Sequence, residues 1–186
     1  MTKINVSNLS KRYPINSKFC NVDGMDFTVE DGEFFCLVGP SNAGKTSTLR
    51  LIAGLDDPDE GTIEYGARSM VDVAPSDRGA SLLFDNLALY PNKTGFENIE
   101  HPLRVEGVPE TERRDRVEKI AEELGISHLL DRTPETFSGG EKQRVGIART
   151  MISESEVYLL DDPLGGLDAK LKKRLRFELK RIHEEL

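Results

Sequence analysis

With 186 residues, 37% of them hydrophobic, the chain is long enough for one compact domain with a sizeable core and too short for two large ones. Acidic residues outnumber basic ones by 33 to 25, and the net charge of −8 argues against broad binding to nucleic acid or to anionic membranes. No run approaches the ~20 apolar residues of a membrane span, Met1-Thr2-Lys3-Ile4-Asn5 is not an apolar leader, and Cys20 and Cys36 have neither zinc-site nor disulfide-framework spacing, so a cytosolic location is expected.

Ile4 and Val6 alternate with polar neighbours, and Met25, Phe27 and Val29 do the same before the turn Asp31-Gly32, which predicts antiparallel strands. Between them Tyr13 precedes Pro14, a setting in which an aromatic is by itself a packing residue. The apolar run Phe34–Val38 predicts a buried strand that holds Cys36 and breaks at Gly39. Gly39-Pro40-Ser41-Asn42-Ala43-Gly44-Lys45-Thr46 then meets the spacing of a phosphate-cradling loop between a strand and a helix. Its glycines allow close backbone approach, so that amides of residues 42–47 can face phosphate oxygens at a helix N-terminus. Lys45 adds a point charge, Thr46 a hard oxygen for the Mg²⁺ that travels with a nucleotide, and Ser47 continues the polar first turn.

Leu49, Ile52 and Ala53 give that helix an apolar face ending at Gly54, and Asp57–Gly61 turns into a strand over Thr62–Tyr65. Pro75-Ser76-Asp77-Arg78 reads as a loop, Ser81–Phe84 as a strand, and Asp85–Pro91 as a turn into helical sequence. Val117, Ile120, Ala121 and Leu124 mark a helix from Pro109 to Gly125, with Arg113, Arg114, Arg116 and Lys119 as its solvated face. Phe137-Ser138-Gly139-Gly140-Glu141 opens another helix, whose glycine pair could receive an anion but which reads most plainly as one capped by Ser138. The strand Val157–Leu160 carries Asp161 and Asp162 at its C-terminal end, where carboxylates in a phosphate-loop protein are placed to hold Mg²⁺ and orient water. From Asp168 onward Leu171, Leu175, Leu179, Ile182 and Leu186 follow at steps of four, four, three and four, a helix with an apolar stripe.

Taken in order, Gly39–Thr46, Phe137–Glu141 and Leu159-Leu160-Asp161-Asp162-Pro163 resemble the ATP-binding subunit of ABC transporters. Pro75–Arg78, Ala88-Leu89-Tyr90-Pro91 and Glu97-Asn98-Ile99 are similar to the branch that energises sugar and related solute importers. The resemblance implies an α/β fold with a P-loop NTPase (RecA-like) core, an N-terminal antiparallel β subdomain and an inserted α-helical subdomain. It implies one ABC ATP-binding domain over 1–186, incomplete at its C-terminus, with 1–84 and 155–186 as the core and 85–154 as the signature-motif subdomain. Position by position, it implies that Tyr13 stacks on adenine and that Gly39, Pro40, Ser41, Asn42, Ala43, Gly44, Lys45, Thr46 and Ser47 form Walker A. Thr46 and Asp161 would reach Mg²⁺, and Ser138, Gly139 and Gly140 would bind the γ-phosphate of ATP on the opposite subunit. Leu167 and Asp168 would meet the partner in a head-to-tail homodimer or heterodimer. Asp85–Arg104, with Leu87, Leu89, Tyr90 and Phe96, would face a transmembrane permease on the cytoplasmic side of the membrane.

Three departures from the family pattern accompany it. Asp85 stands where a glutamine is usual, as a shorter, charged candidate metal ligand. Asp162 stands where the water-polarising glutamate is usual, one methylene short, so slow turnover is expected. Leu186 precedes the strand and switch histidine that follow Walker B, a role that His101, His128 and His183 do not match. In the family's fold that strand lies between the Walker A and Walker B strands, so its lack is expected to leave both without a neighbour unless a second chain supplies it. The alternative reading is a truncated or degenerate nucleotide-binding module with a regulatory or structural role. A soluble ABC ATPase acting on DNA or ribosomes is disfavoured by the acidic balance, and no nucleic acid partner is expected.

Overall fold

The structure, a computed structural model, describes residues 2–185, the side chains of Arg174, Ile182 and Glu185 excepted. Two compact units emerge. One runs to Leu82 and takes in Ser155–Asp161; the other comprises Leu83–Glu154 and the segment from Asp162 on.

In the first unit β1 (Ile4–Lys11) pairs antiparallel with β2 (Val22–Val29), placing Ile4 opposite Val29 and Val6 opposite Phe27. On its other side β1 pairs antiparallel with β3 (Glu60–Tyr65), which pairs with the short β4 (Arg68–Ser69), giving the order β2-β1-β3-β4. The period-2 alternation sends Ile4, Val6, Ile63 and Tyr65 into one core with Leu51 and Ile52 of α1 (Lys45–Ala53). That helix stops where expected, because Gly54 takes a left-handed φ of 76° and returns its N–H to Arg50 and Leu51 carbonyls.

Arg78 closes this core in a way the loop reading of 75–78 did not anticipate. It is 3% exposed. Its fork donates to the carbonyls of Val73 and Met70 and, at 3.0 Å each, to those of Leu51 and Ile52 in the last turn of α1. A cation at a helix C-terminus is favoured by the helix dipole as well as by these bonds.

β5 (Ala80–Leu83) and β6 (Val157–Leu160) form a separate two-stranded pair. The expected strand at Phe34–Val38 is not formed. Phe34, Phe35 and Val38 are 49%, 40% and 88% exposed, and Cys36 is exposed rather than buried. A strand is made by ladder hydrogen bonds, and among the described residues no ladder reaches 34–38. Phe35 instead stacks on Phe27 of β2, with ring centroids 5.3 Å apart.

The second unit is helical: α2 (Gly95–Val105), α3 (Glu110–Glu123), α4 (Gly139–Met151) and α5 (Ala169–Glu185). Ile99 and Leu103, Val117 and Ile120, Val145 and Ile147, and Leu175 and Leu179 supply its buried side chains. Arg113 is not part of a solvated face: its side chain is 17% exposed and it binds Glu100 at 2.8 Å, because α2 and α3 pack together. The apolar stripe of α5 holds at Leu175 and Leu179, whereas Leu186 and the Ile182 side chain lie outside the described residues. Where the sequence reading grouped 155–186 with the nucleotide core, α5 belongs to the helical unit. Its Leu171 side chain lies 2.3 Å from where a Cβ on Gly140 would be, so any larger residue at the start of α4 would have to displace that leucine.

Candidate functional site

The phosphate-loop residues Gly39–Ser47 build one end of α1. Gly44 is its N-cap, with φ 81°, and a Cβ there would lie 2.8 Å from the Asn21 carbonyl oxygen. Only glycine meets both demands. Gly39, Pro40, Ser41, Asn42 and Ala43 are exposed, and Asn42 has φ 66°, a conformation that asparagine tolerates better than most residues. Lys45 Nζ donates to the carbonyls of Gly39 and Pro40 at 3.0 and 2.8 Å, so its ammonium lies over the loop itself. Helix α1 starts with no side-chain cap and no acidic residue in its first turn. Its first amides therefore present an uncompensated positive end, the chemistry that receives an anion. Thr46 is half-buried, and Ser47 is buried with its hydroxyl donating to the Cys20 carbonyl at 2.6 Å.

Asp161, 8% exposed, ends β6, and β6 packs on α1 in the same unit as Lys45 and Thr46. Asp162 and Asp85 belong to the other unit. Asp162 is exposed, adopts φ 45° and places its carboxylate against Gly165, while Asp85 is exposed and accepts from the Asn86 amide at 2.8 Å. Among the described residues no group of three or more His, Cys, Asp or Glu converges on one point. A Mg²⁺ bound here would therefore rely on Thr46, Asp161, waters and phosphate oxygens, which suits an ion that keeps several waters.

Helix α4 begins differently from α1. The Ser138 hydroxyl receives the Glu141 amide and donates to Glu141 Oε2 at 2.8 Å, and the same carboxylate takes the Ser138 amide at 2.7 Å. This capping box puts the chain's own anion at the helix start beside Gly139 and Gly140. The Ser138 amide, and next His128 at 3.1 Å, pull the Glu141 carboxyl from the ordinary 4.5 to about 2. The stabilisation this implies is complete above the ordinary value and is lost as pH falls through about 2. The thermal midpoint is expected to fall more steeply between pH 4.5 and 2 in the native sequence than in Glu141→Gln. Parallel slopes would remove Glu141 ionisation from the account of α4.

In the Asp85–Arg104 segment, Leu87 and Ala88 take left-handed φ values of 58° and 43°, unusual for apolar residues. Arg149 of α4 holds this bend, donating to the Leu87 carbonyl and to the Ala88 carbonyl at 2.8 Å. Asn98 ties down the next stretch through bonds to Tyr90, Lys93 and Thr94 backbone. Leu87, Leu89 and Phe96 are half-buried, leaving Tyr90, 39% exposed, as the open one of the four apolar residues singled out there. Arg78 and Arg149 had no local signal in the sequence, since each acts on backbone carbonyls brought to it by folding.

No helix among the described residues is long and apolar enough to cross a membrane. The ABC transporter family model matches residues 22–165. The maltose/maltodextrin import ATP-binding protein MalK of Yersinia pestis is 45% identical over 162 residues, covering 87% of this chain and 44% of that protein. The sn-glycerol-3-phosphate import ATP-binding protein UgpC 2 of Agrobacterium fabrum is 40% identical over 186 residues, covering 100% of this chain and 49% of that one. The chain thus spans about half the length of the curated relatives it matches. Among solved structures, the dimeric post-hydrolysis state of the ATP-binding cassette MJ0796 bound to ADP and Pi superposes with a TM-score of 0.86 at 27% identity, covering 98% of this chain and 83% of that one.

Proposed function

The chain belongs to the ABC transporter family, and from that premise we propose that it binds MgATP and contributes to an importer ATPase that works as a head-to-tail dimer beneath a membrane permease. The observation that carries this reading is the contrast between helix starts. α2 and α4 are closed by their own Glu97 and Glu141, whereas α1 starts without cap or carboxylate, its own Lys45 folding back over the preceding loop. Such a helix start favours an anionic ligand.

In this reading Gly39–Ser47 and Lys45 hold the phosphates, Tyr13 receives the adenine, and Thr46 and Asp161 hold Mg²⁺, with Asp85 as a further candidate ligand. Bound Mg²⁺ would offset phosphate charge. Ser138, Gly139 and Gly140 would complete the site of a second copy, and Asp162, next to Asp161, would polarise the attacking water. Relatives described as importers of maltose, trehalose or sn-glycerol-3-phosphate favour a sugar-like or related solute. The permease would meet the Asp85–Arg104 region, placing the protein on the cytoplasmic face of the membrane.

The test is MgATP hydrolysis across a range of protein concentrations, with nucleotide binding measured in the same samples. Turnover that climbs steeply with concentration is the expected result. Binding without turnover would select the second reading, a regulatory or structural nucleotide-binding module. One observation favours that second reading: the Ser138 hydroxyl is already committed to Glu141.

Lys45→Ala is expected to weaken MgATP binding roughly ten- to a hundredfold, the scale of losing charge-assisted hydrogen bonds of ~1.5–3 kcal/mol. Calorimetric titration would check it, and unchanged affinity would remove the phosphate-loop assignment.

A further inference from the structure

Tyr13 sits in a series of contacts that leads back to the phosphate-loop helix. Its hydroxyl donates to Asp56 Oδ2 at 2.9 Å, and Arg50 grips Asp56 through Nε at 2.7 Å and Nη2 at 3.1 Å. Arg50 belongs to the last turn of α1, the helix whose first turn follows Gly44. Phe19 supports the group from the side: its centroid lies 4.3 Å from the Arg50 guanidinium carbon and 5.6 Å from the Tyr13 ring, with the two rings tilted by 51°. The Tyr13 amide is held as well, donating to Asn21 Oδ1 at 2.8 Å.

The Arg50 and Asp56 side chains are each 20% exposed, and their contact is a two-pronged fork. Such a pair is better fixed than a solvent-exposed one. Burial, and next the Asp56 bond, push the Tyr13 phenol up to about 12, so it is a neutral donor at physiological pH. An aromatic on an untethered loop gives up rotamer freedom when it stacks on a base. Here that freedom is already restricted. One helix presents phosphate-binding amides at its N-terminal end and, through Arg50 and Asp56, anchors an aromatic at the other.

We infer that Asp56 and Arg50 are positioning residues that hold Tyr13 as the platform for a nucleobase whose phosphates occupy Gly39–Ser47, an inference that rests on the nucleotide-binding reading above. Neither residue belongs to the phosphate loop or to the other matched motifs. Their role is to set the spacing between base and phosphate contacts along one rigid element.

The test compares equilibrium binding of MgATP with that of magnesium inorganic triphosphate, which has no base. The variants are Tyr13→Phe, which keeps the ring and loses the tether, Asp56→Ala, and the double substitution. Each single variant is expected to weaken ATP about three- to tenfold, the scale of freeing one side chain, with triphosphate affinity unchanged. Because both remove the same bond, the double variant should bind ATP no more weakly than the weaker single one. Unchanged ATP affinity in both singles, equal weakening of ATP and triphosphate, or additive losses in the double variant would overturn the inference. If a further variant, Tyr13→Ala, which removes the ring, loses ATP while Tyr13→Phe keeps it, the tether fails and the nucleotide-binding reading stands. If the native chain binds neither ligand, both fail.

Discussion

Asp162→Asn is expected to cut concentration-dependent ATP turnover by ~10²-fold or more while leaving MgATP affinity and the thermal midpoint in place. The separation follows from the local geometry. Asp162 is exposed at a φ of 45°, a left-handed conformation that asparagine also tolerates, and the bond from the Gly165 amide goes to its backbone carbonyl at 2.9 Å, which the substitution leaves intact. What changes is the ability to take a proton from water. Steady-state phosphate release and nucleotide binding on the same preparation would check it. Equal turnover in the two proteins would take Asp162 out of the chemistry, and a lowered thermal midpoint would make the backbone, not the proton, the explanation.

Arg78→Met is expected to lower the unfolding free energy by ~3 kcal/mol, the size of effect seen when hydrogen bonds to a buried charged group are lost. Methionine replaces most of the buried volume, so the loss is in the bonds rather than in packing. It is less than a sum over four carbonyls. Leu51 also accepts from the Gly54 amide, Ile52 from the Tyr65 hydroxyl and Met70 from the Val73 amide, so the loss falls most heavily on the Val73 carbonyl. Arg78→Lys should recover only part of the loss, because one ammonium cannot serve carbonyls spread around a planar fork. A shift of the urea midpoint with unchanged slope would confirm both variants. A loss below ~1 kcal/mol in Arg78→Met would mean that water replaces the fork.

The features legible in the sequence are those encoded within a few residues. Gly54 stops α1, Ser138 and Glu141 start α4, and alternation at Ile4, Val6, Met25, Phe27 and Val29 marks β1 and β2. The phosphate loop was legible for the same reason, since Gly44 caps α1 and Lys45 bonds to the loop's own Gly39 and Pro40 carbonyls. Phe34–Val38 was misread as a buried strand because a continuous apolar run shows only that a segment could enter a sheet. Whether it does depends on a neighbour that supplies ladder bonds. Arg113 was misread as solvated because its partner, Glu100, lies on another helix.

Composition and local pattern by themselves determined an α/β chain with a nucleotide-type phosphate loop, two glycine-bearing helix starts and paired carboxylates after a strand. The tertiary structure alone decided what each of those groups touches. It tied Tyr13 to Arg50 through Asp56 and set Arg78 on the end of α1. The physical reason is range. A turn or cap is stabilised by groups a few residues apart, whose encounter costs little entropy, whereas Tyr13 and Asp56, or Arg78 and Leu51, meet only after the intervening chain has been ordered by burial of the core between them.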